Sequence, residues 1–155
     1  MDSAHRGRSA SAGGGVRADA ECWVFDVDGC LIDSLTGRSL RPGARELLAH
    51  LGTGHRVLLW SAGGDAYARA RAEEFRVDDH VSGYFAKVGR SSDGCYLTGH
   101  LPLDPGRAVF VDDRPEDLAP TLEVLAVSPY LSEDPHDRGL EAVARRAGLA
   151  GARRP

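Results

Sequence analysis

Six side chains have types and places that would let them do chemistry together: Asp26, Asp28, Ser61, Lys87, Asp112 and Asp113. Asp26 and Asp28 flank Val27 and are followed by Gly29, Ser61 closes the apolar run Arg56 to Ser61, and Asp112-Asp113 closes the run Arg107 to Asp112. Carboxylates brought together repel one another unless a cation sits among them. Oxygen ligands with no paired Cys or His favour Mg²⁺, which takes one or two carboxylates and completes its shell with waters and phosphate oxygens. A hydroxyl and an ammonium beside such a cation would bind further anionic oxygens, and together these groups outline a site for phosphoryl transfer.

Gathering four distant segments at one point requires a scaffold, and the chain between them has the alternation expected of βαβ units around a parallel sheet. Strands are expected at Cys22 to Val27, Arg56 to Ser61, Tyr84 to Val88, Arg107 to Asp112 and Glu123 to Val127. Ala44, Leu47, Leu48 and Leu51 recur at helical spacing between Pro42 and Gly52. Ala68, Ala72 and Phe75 line a second helix, which Asp65 could cap after the Gly63-Gly64 turn, and Leu140, Val143, Ala144 and Ala147 mark a third. The segment from Arg90 to Asp104, with Gly94, Gly99 and Pro102, reads as a loop or small hairpin. In a doubly wound sheet ligands sit at the carboxyl ends of the strands, where strand order reverses. Each candidate residue falls at or just past such an end.

The 155 residues suit one α/β domain with helices on both faces of its sheet, expected over residues 21–150, between a low-complexity leader (1–20) and a short tail (151–155). A formal net charge of -4 provides no electrostatic footprint for nucleic acid. Three cysteines at irregular spacing fit a reducing, cytoplasmic setting, and no apolar run is long enough to span a bilayer. Of the 19 basic residues Lys87 is the one lysine, which singles it out.

The string Asp26-Val27-Asp28-Gly29-Cys30-Leu31 resembles the DxDG signature of the haloacid dehalogenase superfamily, and Ser61, Lys87 and Asp112-Asp113 follow in that family's order. The resemblance runs from about Glu21 to the C-terminal helix. It implies a Rossmann-like three-layer sandwich around a mostly parallel sheet of about five strands. It also implies a Mg²⁺-dependent phosphatase that hydrolyses a phosphate monoester through an aspartyl-phosphate. In that reading Asp26 is the nucleophile, while Asp28 protonates the leaving group, activates water and lends its backbone carbonyl to the metal. Asp113 ligates the metal directly and Asp112 acts through a bound water. Ser61 Oγ, the Ala62 N–H and Lys87 hold the phosphate, and Gly29 lets the loop approach it. About thirty residues separate the first two motifs and about twenty-five lie between Ser61 and Lys87, leaving no room for a cap domain. Capless relatives take small or macromolecular phosphates, so the substrate class stays open, as does the oligomeric state.

Taken singly, these residues have plainer readings. Asp112-Asp113 could cap a helix or shape a turn, Ser61 could do the same, and Arg90 could replace Lys87 as the phosphate-facing cation. Asp117 reads as helix-start charge, Asp33 and Ser34 as supporting or capping residues, and Cys30 as a small packing residue. Arg38, Arg41, Arg90 and Arg114 could each meet a second anionic group on the substrate. Specificity elements are expected around Leu35 to Leu40 and in the Arg90 to Leu103 loop. Two other functions share some of these parts: a phospho-acceptor signalling domain of the receiver type and a non-catalytic phosphate-binding module. Receivers place the acidic pair on the first strand and the acceptor later, the reverse of the order here. An intact set of motifs argues against the binding module.

Overall fold

A computed structural model describes residues 21–149; the leader expected at 1–20 and the tail at 151–155 lie outside the described residues, as does residue 150. Five strands form one sheet in the order β3-β2-β1-β4-β5: β1 Cys22–Phe25, β2 Arg56–Ser61, β3 Gly83–Ala86, β4 Ala108–Asp112 and β5 Glu123–Ala126. Every pairing is parallel. The chain builds outward from β1 through β2 to β3, then returns to lay β4 on the other side of β1, so strand order reverses between β1 and β4. That is where the carboxyl ends of adjacent strands splay to leave a crevice.

Among the described residues three α-helices accompany the sheet: α1 Ala44–Gly52, α2 Asp65–Glu74 and α3 Glu141–Arg146. The helical spacing of Ala44, Leu47, Leu48 and Leu51 puts all four on the buried face of α1. Ala68 and Ala72 of α2, with Val143 and Ala144 of α3, join the same core, against Trp23, Phe25, Val57, Leu59, Val109 and Val111 from one face of the sheet. Alternate strand residues, Cys22, Val24, Leu58, Trp60 and Phe110, point the other way into a second core. That core is closed by Leu101 and Leu118, with Tyr96, Leu103 and Leu122 packed on it.

The third layer of the sandwich is thus laid down by the β3–β4 crossover together with the β4–β5 connection, where helices had been expected on both faces. The crossover carries Gly89, Gly94, Gly99, Pro102 and Pro105, a composition that disfavours an α-helix and leaves only one 3-10 turn, Pro105–Arg107. Arg90 bridges Tyr96 in an antiparallel pair around Gly94, the small hairpin expected there.

Several element ends differ from expectation: β1 stops at Phe25 before Val27, β4 starts at Ala108, and β5 stops at Ala126 before Val127. β3 spans Gly83–Ala86 and stops before Val88, whose side chain is 53% exposed, so Lys87 is the first residue past the strand. The N-cap of α2 is Gly64, at φ 104°, with no side-chain cap bond; Asp65 is the first helical residue, where its charge instead meets the positive end of the helix dipole. Among the described residues no helix is long and apolar enough to cross a membrane.

Candidate active site

Register places the acids. Phe25 lies level with Val111, so the next residues, Asp26 and Asp112, emerge side by side from the ends of β1 and β4, and the Asp26 N–H still donates to the Val111 carbonyl at 3.0 Å. On the other side Ser61 is level with Ala86, and the Lys87 N–H donates to the Ser61 carbonyl at 2.9 Å. This turns the Lys87 side chain across the strand ends toward the acids.

The Lys87 ammonium donates to Asp26 Oδ1 at 3.0 Å and to Asp112 Oδ2 at 2.9 Å, with the rings of Trp60 and Tyr96 at 5.2 and 5.3 Å. A compact ammonium with three donors can satisfy two carboxylates within this aromatic box, where a planar guanidinium would need more width. Burial opposes the charge on Lys87, but Asp26 and Asp112 outweigh it and hold its pKa above the ordinary lysine value. Lys87, not Arg90, is therefore the cation that bridges Asp26 and Asp112, while both line the pocket. Arg90 stacks on Tyr96 at 4.0 Å, bonds the Gly94 carbonyl and reaches Asp117.

Asp26, Asp112 and Asp113 each offer an oxygen within 4.8 Å of the others. Burial first, and then the neighbouring Asp112, push the Asp26 carboxyl well above the usual carboxylate range against the opposing pull of Lys87. Burial likewise raises Asp112. A carboxylate that is to ionise in such surroundings calls for a second cation, and the structure offers a donor for one. Asp113 Oδ1 is buried with no hydrogen-bond partner, whereas both oxygens of Asp112 are taken, Oδ2 by Lys87 and Oδ1 by the Arg114 N–H at 2.8 Å. A hard divalent cation fits this set of oxygens.

Asp113 can stand so close because Gly29, at φ 79°, has no side chain: a Cβ there would lie 2.5 Å from Asp113 Oδ2. Asp28 lines the same pocket but stands outside this cluster of oxygens. Its Oδ1 accepts a 2.7 Å hydrogen bond from the Tyr67 hydroxyl on α2, and burial, with that bond, pushes Tyr67 up to about 12. Ser61 Oγ accepts the Gly63 N–H at 3.0 Å and keeps its own proton to donate. Ser61 is 1% exposed, and Ala62, the next residue, forms part of the pocket wall.

The acids face a pocket of about 180 Å³ walled also by Lys87, Arg90, Tyr96, Arg114 and Asp117. Asp117 sits, as expected, in the first turn of a short 3-10 helix (Pro115–Asp117), and its carboxylate also pairs with Arg90 and Arg114. The Arg90 to Leu103 loop supplies Arg90 and Tyr96 to the wall, and residues Leu35 to Leu40 supply nothing. Arg41 is corrected outright: far from meeting a substrate, its guanidinium is wholly buried and clasps Asp137 at 2.6 and 3.2 Å, with further bonds to Ser128 and the Cys30 carbonyl. Arg38 is absent from the pocket as well. Asp33 is a capping residue as expected, accepting from Thr36, Arg38 and Ser39, and Cys30 is buried packing. Tyr67 and Tyr96 were missed. An aromatic residue with a polar tip close after a motif was the available signal, but their partners lie far away in sequence.

No protein-family model matches the chain, and no curated protein matches it by sequence. Solved structures do. A haloacid dehalogenase-like hydrolase from Streptococcus pneumoniae superposes with a TM-score of 0.60 at 14% identity, over 82% of this chain and 98% of that one. The fission yeast RNA polymerase II CTD phosphatase Fcp1, solved with beryllium fluoride, gives a TM-score of 0.54 at 16% identity, over 85% of this chain and 50% of that one. The chain has the fold of the haloacid dehalogenase-like hydrolases, a Rossmann-like α/β sheet, and its acids occupy the crevice where that fold binds ligands.

Proposed function

We propose that the protein is a Mg²⁺-dependent phosphatase acting on a phosphate monoester. The observation that carries this reading is one ammonium bridging Asp26 and Asp112 beside an unpartnered Asp113 oxygen, at the point where strand order reverses. Mg²⁺ would be held by Asp26, Asp113 and the Asp28 carbonyl, with Asp112 acting through a water, and would neutralise charge on the phosphoryl oxygens.

Asp26 attacks phosphorus through the oxygen that Lys87 leaves open, and the ester P–O bond breaks as Asp28 gives a proton to the leaving oxygen. The product of this step is an aspartyl-phosphate. Asp28 then takes a proton from water, the water oxygen bonds to phosphorus, and the Asp26–phosphorus bond breaks to release phosphate and restore the carboxylate. Through both steps Lys87, the Ser61 hydroxyl and the Ala62 N–H hold the phosphoryl oxygens, and Gly29 keeps the loop clear of them.

Release of p-nitrophenol from p-nitrophenyl phosphate in the presence of Mg²⁺ tests the reading. Turnover should be lost in Asp26→Asn and fall steeply in Asp28→Asn. A long-lived phosphoprotein without turnover would point instead to a phospho-acceptor domain. Inertness with and without Mg²⁺ would point to a binding module.

A further inference from the structure

The half-buried Tyr67 side chain of α2 packs against the main core and the turn after Ser61. Its ring lies against Gly63, where a Cβ would come within 2.6 Å of Tyr67 Cδ1. The Arg71 guanidinium lies 5.7 Å from the ring centroid and donates to the Gly37 carbonyl, tying α2 to the loop after β1. From this seat the hydroxyl donates to Asp28 Oδ1 at 2.7 Å.

The geometry points to Tyr67 as a positioning residue that orients the Asp28 carboxyl for proton transfer, an inference that rests on the phosphatase reading. With Oδ1 engaged by a donor, the proton that Asp28 delivers and later retrieves is confined to Oδ2. The carboxyl plane is fixed with it. General acid–base catalysis depends on that alignment, because a rotated carboxyl misses the leaving oxygen even when its protonation is correct. The Gly63-Gly64 turn thus does more than start a helix: the absence of a side chain at Gly63 makes room for the ring that restrains the acid.

Tyr67→Phe keeps the ring and removes only the hydroxyl. The test compares p-nitrophenyl phosphate, whose leaving group departs with little help, with phenyl phosphate, whose more basic leaving oxygen needs the proton. The variant should lose on the order of tenfold more kcat/KM on phenyl phosphate than on p-nitrophenyl phosphate. Rapid mixing with p-nitrophenyl phosphate should show a burst of p-nitrophenol approaching one per enzyme in the variant, because the water step also needs Asp28. Equal losses on the two substrates, or none, would overturn the role of Tyr67 while leaving the phosphatase reading intact. A wild-type protein that releases phosphate from neither substrate would end both.

Discussion

At the level of single residues, the site is an exercise in compensating charge. Asp26, Asp112 and Asp113 would repel one another in a buried crevice, and Lys87 offsets only part of that repulsion. The rest would fall to the divalent cation proposed, for which Asp113 offers a buried oxygen with no hydrogen-bond partner. Gly29 sets how closely Asp113 can approach, since it adopts a left-handed φ of 79° and leaves the space that a methyl group would fill. In Gly29→Ala the displaced Asp113 should raise the Mg²⁺ concentration for half-maximal phosphatase activity by roughly tenfold or more, read from a metal titration at fixed substrate.

The elements that carry these residues are braced by polar groups whose partners lie across the fold. Asp33 is wholly buried and accepts five hydrogen bonds, from the backbone and hydroxyl of Thr36 and Ser39 and from the Arg38 N–H. Burial works against its charge, yet these donors win and hold its carboxyl far below the usual carboxylate range. A carboxyl whose folded pKa is depressed stabilises the protein above its unfolded value and loses that contribution as pH falls through the folded one. Asp33→Asn should therefore cost about 1–3 kcal/mol near neutral pH. The gap in thermal midpoint between wild type and variant should narrow below about pH 4, where the unfolded carboxyl begins to bind protons. Arg41 braces a longer connection, from the loop after β1 to the Asp137 turn that leads into α3, and Gly139 gives it room by having no side chain. Removing the guanidinium in Arg41→Ala leaves Asp137 without its cationic partner, with only the Gly139 N–H still donating to it, and should cost about 3–5 kcal/mol in urea unfolding.

For the molecule as a whole, binding and stability are linked through the crevice between β1 and β4. Asp26 and Asp113 come from opposite halves of the chain, at the ends of the paired strands β1 and β4, so a ligand that joins them adds to the pairing that already holds those halves together. Mg²⁺ with beryllium fluoride, a phosphoryl mimic at the Asp26 oxygen, should stabilise the native state by about 2.7 kcal/mol at a hundredfold excess over Kd. For a chain of this size that is roughly 5–10 °C in the unfolding midpoint. Asp26→Asn should abolish the shift, which scanning calorimetry can follow without any turnover.

The strands, the helices and the ends at which the chemical groups sit were legible because they depend on near neighbours along the chain. Apolar alternation, helical spacing from Ala44 to Leu51 and the turn residues at Gly29, Gly63 and Gly94 are local signals, and side-chain type alone suggested a cation at clustered acids. What escaped depends on contacts between residues far apart. The 18 arginines look alike along the chain, yet Arg41 is sealed against Asp137, 96 residues away, while Arg90 stacks at the pocket wall. Tyr67 reaches Asp28 across 39 residues, and Asp112 rather than Asp113 receives Lys87 because parallel register sets Asp112 level with Asp26. Such pairings are chosen by how layers pack and strands align, and spacing along the chain carries no record of either.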